Sequence, residues 1–163
     1  MPALATIGYE ASTIDRVVGA LLAAGVAQLI DVRAVPLSRK PGFSKRQLAA
    51  ALGEAGIGYI NLRGLGTPKS GRIAARRGDF ATMRDVFAEH MRSDAAQVDL
   101  AHASAIAAKA PSCLLCFEAD ATHCHRLLVA EAMRPSLPGV ALRHLLAAPA
   151  GSVQQVVKVK SNA

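Results

Sequence analysis

The 163-residue sequence contains no tryptophan, and its two tyrosines and four phenylalanines make up only 4% of it. A surface that holds nucleic acid by stacking bases on rows of aromatic rings is therefore poorly supplied. Cysteine is scarce and odd in number, at three. That count excludes a disulfide framework and points to a compartment where thiols stay reduced. There is no long hydrophobic run either: the stretch from Val17 to Ile30 is broken by Gly19, Gly25 and Gln28 and is too short to span a bilayer. No apolar run precedes Arg16, the first basic residue, so nothing resembles a signal peptide. These absences together lead us to expect a cytoplasmic protein without a membrane partner.

What is present is enough for one core. A composition that is 52% hydrophobic and 19% charged rules out disorder for most of the chain, and the length is that of a single domain. Heavy use of alanine suggests helices packed on a flatter layer. The formal charge is +7, but it is unevenly placed. Between Arg33 and Arg77 ten basic residues face one acid, Glu54, so that segment carries +9 and the remainder −2. Such a segment is either an anion-facing surface or a solvated basic loop.

Short apolar runs alternate with amphipathic helices along the chain. Leu4–Ile7 reads as a strand, and Ser12 with Asp15 marks a helix start ahead of the spaced apolar residues Ile14, Val17, Val18, Leu21 and Leu22. Val26–Val32 reads as a strand buried on both faces. Ser44 and Gln47 have the spacing of a capping box, with Phe43 and Leu48 placed as a hydrophobic staple, so a helix follows. Ile57–Asn61 reads as the third strand. The next stretch, RGLGTPKSGR, reads as a loop because it is dense in glycine, proline and cations. Helices are expected around 80–91 and 98–109, a fourth strand over 113–118, a helix from about 122–124 to Met133, and a last strand over 140–146. This order predicts a three-layer α/β domain over residues 1–146, with a mostly parallel sheet of about five strands and helices on both faces. The tail from Ala147 to residue 163, with VVKVK near its end, is expected to be disordered or to pair with a neighbour.

In such folds ligands bind at the C-terminal ends of the strands. Tyr9 and Glu10 fall there after the first strand, Asp31 and Arg33 at the second, and Glu118 at the fourth. The densest cluster is Cys116–Arg126, CFEADATHCHR. Cys116 and Glu118 share one face of their strand, whereas Cys113 lies on the other face and reads as packing. Cys124, His125 and Arg126 open the following helix, whose free amides favour an anion: a bound phosphate or the Cys124 thiolate itself. The bland alternative makes Cys124 a small buried residue and pairs Arg126 with Glu118 or Asp31. Cys116, Glu118, His123, Cys124 and His125 carry metal-ligand atoms, yet their spacing fits no standard structural zinc pattern, and no metal is expected. His90, His102 and His144 read as ordinary surface or packed histidines.

These blocks resemble a known family. TIGYE at Thr6–Glu10 with Ser12, the DVR-x-x-P-x-SR pattern at Asp31–Arg39, Phe43 and Lys45, GI-x-Y at Gly56–Tyr59, the LG and Pro at Leu65–Pro68, and LLC-x-E followed by CHR at Leu114–Arg126 are similar to bacterial domain-of-unknown-function family number 488. The sequence departs at Thr67, where a second glycine is expected. The resemblance implies an α/β domain of small stand-alone bacterial proteins and no established reaction. The IDVR run also resembles rhodanese-like strand ends, and a cysteine beside an arginine resembles cysteine phosphatases. Those enzymes wrap an anion in a loop between Cys and Arg, which two residues on one helical turn cannot do.

The leading expectation is an enzyme acting on a phosphate-bearing substrate, a nucleotide or nucleic-acid-related molecule. Tyr9, Arg33, Ser38, Arg39, Cys116, His125 and Arg126 would bind it, Glu10, Asp31 or Glu118 would act as acid or base, and Cys124 as nucleophile or anion-site element. The alternatives are a non-catalytic nucleic-acid-binding module using residues 33–77, and a thiol redox or metal-sensing protein.

Overall fold

Strand and helix alternate because short apolar runs and period-3.6 apolar patterns alternate along the chain. The computed structural model describes residues 3–147 and the strand at 156–158. The strands are β1 (Leu4–Gly8), β2 (Gln28–Asp31), β3 (Gly58–Asn61), β4 (Ser112–Cys116), β5 (Leu142–Leu146) and β6 (Val156–Lys158). The helices are α1 (Ile14–Ala23), α2 (Lys45–Glu54), α3 (Lys69–Arg76), α4 (Phe80–His90), α5 (Asp94–Lys109) and α6 (His125–Met133). The sheet order is β3-β2-β4-β1-β5-β6. Its first five strands are parallel, and β6 runs antiparallel to β5. This is the three-layer α/β arrangement expected from the sequence. Apart from Ala147 and β6, the expected tail lies outside the described residues.

Each strand sends alternate residues into two cores. Cys113 and Leu115 of β4 join Ala5, Ile7 and Leu29 beneath α1 and α2, which contribute Val17, Leu21, Leu48 and Leu52. Leu114 and Cys116 face the opposite way, with Ile30 and Leu142, against Phe87 of α4, Ala103 of α5 and Val129 and Met133 of α6. Cys113 is thus packing, as its strand position predicts. Neighbouring strands β1 and β4 are followed by helices on opposite faces, the place in such a sheet where ligands bind beyond the strand ends. Among the described residues no helix is long and apolar enough to cross a membrane.

Local chemistry departs from expectation at several element ends. The segment read as a loop at 63–72 contains a 3-10 turn at Arg63–Leu65 and the start of α3 at Lys69. Pro68 supplies the fixed φ suited to a helix entrance. Gly71 is needed for close packing: a Cβ there would lie 2.4 Å from the Thr67 methyl and 3.1 Å from Val86. α5 starts at Asp94 because Ser93 caps it, accepting a hydrogen bond from the Ala96 amide. Thr13, not Ser12, is the residue ahead of α1. Ser44 does precede α2, yet its hydroxyl bonds the backbone of Ser38, and Gln47 accepts from the Gly42 amide. The helix starts where the sequence places it, but the capping groups tie down the 38–44 loop instead of closing a box.

Candidate functional site

β1, β2 and β4 deliver the site. Gly8 lets the chain beyond β4 cross β1 closely: a Cβ on Gly8 would fall 1.8 Å from the Glu118 carbonyl oxygen. The crossing is held by the Glu10 amide donating to the Phe117 carbonyl at 2.8 Å and the Ala119 amide donating to the Glu10 carboxylate at 3.0 Å. Asp120 then caps the 3-10 turn Ala121–His123 through Thr122. Cys124, in extended conformation, becomes the residue at the amino end of α6.

Three donor groups meet there. Both sulfurs, Cys116 Sγ and Cys124 Sγ, lie 3.8 Å from His125 Nδ1. The ring is oriented from behind, because Nε2 donates to the Val32 carbonyl at 2.8 Å. With Nε2 carrying a proton, Nδ1 is the atom that takes a proton from, or returns one to, a thiol. Burial opposes charge on Cys124, but hydrogen bonding from the Cys116 thiol and the positive groups of His125 and Arg126 outweigh it, and its pKa falls well below the usual thiol range. Cys116 moves the other way, raised by its hydrogen bond to Cys124 and by burial, and so stays a thiol. Burial lowers the His125 pKa, but Cys124 more than compensates and the net shift is upward. Glu118 is pushed up to about 7 by burial and then by Cys124, so both of its protonation states are populated near neutrality, and its Oε2 is buried without a hydrogen-bond partner. The three donor atoms lie within 4.8 Å of one another, so as a set they suit a soft metal ion.

A cleft of about 790 Å³ opens onto this cluster. Of the residues expected at the site, Tyr9, Glu10, Arg33, Ser38, Cys116, Glu118, Cys124 and His125 all line it. Asp31, Arg39 and Arg126 do not. Asp31 is fully buried and serves Arg33, whose Nε and Nη2 donate to its carboxylate at 2.9 and 2.7 Å. The Tyr59 hydroxyl donates to the same carboxylate at 2.6 Å. Arg33 in turn fixes Tyr9 through Nη1, at 3.1 Å from the hydroxyl. Arg126 is fully buried, and its guanidinium donates to the carbonyls of Glu118 and Ala119. It pairs with backbone and not with the Glu118 or Asp31 carboxylates, and it acts on Cys124 by its charge alone. Arg39 is exposed on the 38–44 loop.

α3 and α4 also line the cleft, a contribution the sequence reading missed. Arg72 and Arg76, four apart on one face of α3, line the cleft with Thr67. Phe80 of α4 stacks on His123, their rings 4.3 Å apart and 4° from parallel, joining this helix to the 118–124 loop. The four-residue spacing of the arginines, with Pro68 ahead, is the signal that identifies the helix.

Fold and cleft together describe an α/β protein whose parallel sheet carries, at its strand ends, a cleft lined by two cysteines. The chain belongs to the family of the domain of unknown function DUF488, whose family model matches residues 13–133. Neither the search of curated proteins nor that of solved structures gives a match.

Proposed function

We propose that the protein is an enzyme acting on a phosphate-bearing small molecule, with Cys124 as nucleophile. The observation that carries this reading is the placement of Cys124 Sγ at the amino end of α6, beside an oriented His125, in a cleft that Arg72 and Arg76 also line. The arginines hold the phosphate as charge-assisted donors. The Cys124 thiolate attacks an electrophilic centre of the substrate, so the new bond to sulfur forms as the bond to the leaving group breaks. Glu118, in its protonated state, gives its proton to the departing group. Water then attacks the covalent intermediate, Glu118 takes its proton, and sulfur leaves as thiolate.

The nucleic-acid-module alternative has less support. The two aromatics of the basic segment are occupied: Phe43 is fully buried and stacked on Tyr9 at 4.3 Å, and Tyr59 is bonded to Asp31. The test is turnover of a panel of nucleotides and sugar phosphates. Activity is expected to fall at least about 100-fold in Cys124→Ser and in Glu118→Gln. Unchanged turnover in both variants, or a wild-type protein that neither turns over the panel nor binds inorganic phosphate, contradicts the reading.

A further inference from the structure

The mouth of the cleft is more apolar than a phosphate site requires. Val35, Leu37 and Phe117 are three of the six large hydrophobic residues exposed on the described surface, and all three line this cleft. Exposed apolar side chains gathered at one site mark a contact surface, whereas scattered ones need no explanation. They come from the loops after β2 and β4 and share the cleft with the arginines of α3. Phe117 is 43% exposed, the one aromatic among those six, and its ring is held edge-on against Tyr9, with centroids 5.4 Å apart at 78°. Tyr9 is itself locked between Phe43 and Arg33, so Phe117 is a supported platform and not a loose side chain.

The cleft thus offers both positive charge and a single aromatic shelf, within a volume typical of small-ligand sites. A bare sugar phosphate would leave the shelf wet, and a nucleic acid strand would need a succession of platforms where the cleft has one. We infer that the substrate is a mononucleotide, its phosphate on Arg72 and Arg76 and its base against Phe117 and Leu37. This rests on the proposed phosphate reading and narrows it to a substrate class.

The experiment is calorimetric titration with the four common nucleoside 5′-monophosphates, ribose 5-phosphate and adenosine. At least one nucleotide is expected to bind about tenfold or more tightly than either fragment, since one stacked base contributes that much. Phe117→Ala and Leu37→Ala should each weaken that nucleotide severalfold and leave ribose 5-phosphate unchanged, while Arg72→Ala weakens both. If ribose 5-phosphate matches every nucleotide and Phe117→Ala changes nothing, the mononucleotide inference is overturned and the phosphate reading stands. If neither the nucleotides nor ribose 5-phosphate binds, both are overturned.

Discussion

Glu118 links the chemistry of the site to the stability of the protein. Its carboxyl is held at about 7 against an ordinary 4.5, because burial and the neighbouring Cys124 sulfur disfavour its charge. Between those values the folded protein keeps a proton that the unfolded chain has released. This contribution is therefore fully present below about pH 4.5 and is lost as pH rises through about 7. Allowing for partial exposure, about 1–3 kcal/mol is at stake. In urea denaturation Glu118→Gln is expected to gain on the wild type as pH is raised from 5 to 8; parallel profiles would contradict the assignment. Asp31 makes the complementary case. It is the sole counter-ion seen for the buried Arg33 guanidinium among the described residues. Asp31→Ala leaves that charge unpaired and is expected to cost about 3–5 kcal/mol, with loss of ordered Tyr9. A cost below 1 kcal/mol would show that Arg33 finds another partner.

At the level of elements, the crossing of β1 by the chain beyond β4 positions both Glu118 and the turn leading to Cys124. Gly8→Ala places a Cβ against the backbone carbonyl of Glu118, which cannot rotate away as a flexible side chain would. A loss of about 3 kcal/mol or more is expected by chemical denaturation, and an unchanged midpoint would mean that the crossing adapts. The sequence makes some elements more legible than others. The parallel core was readable because β1, β2 and β4 are short apolar runs followed by helical periodicity. The face assignment of Cys113 against Cys116 followed from the two-residue period of a strand alone. α3 was hidden because its glycine and proline have local uses, Pro68 at the entrance and Gly71 beneath Thr67, which composition cannot distinguish from a loop. Its Arg72 and Arg76 were consequently counted as charge and not placed in the site. The roles of Asp31 and Arg126 were misjudged for a related reason: strand-end position locates a residue, but only packing shows whether its charge faces the cleft or is used up beneath it.

For the molecule as a whole, the surplus charge now has a location. The basic segment from Arg33 to Arg77 begins with a buried pair member at Arg33, followed by exposed Arg39 and half-buried Lys40 on the 38–44 loop. Lys45, Arg46 and Arg63 are exposed on α2 and the 3-10 turn, and of the cations of α3 and its end, Arg72 and Arg76 line the cleft. Phosphate binding is expected to weaken moderately with salt, as a few charge-assisted contacts require, without the steep dependence of a surface that neutralises many phosphates. Steep salt dependence of duplex binding that persists in Cys124→Ser would favour a nucleic-acid-binding module.

The central claim is that Cys124 is a thiolate at neutral pH. Its side chain is only 3% exposed, but unlike Cys113 it lines the cleft, so alkylation through the cleft tests the claim most directly. The rate of iodoacetamide modification of each cysteine, followed by peptide mass spectrometry from pH 5 to 10, should show Cys124 reacting with a midpoint well below the ordinary thiol value of 9.0. Cys113, buried and raised in pKa, should stay unmodified in the folded protein. His125→Ala should move the Cys124 midpoint upward. A Cys124 that reacts only above pH 9, or not at all until the protein unfolds, would contradict the account.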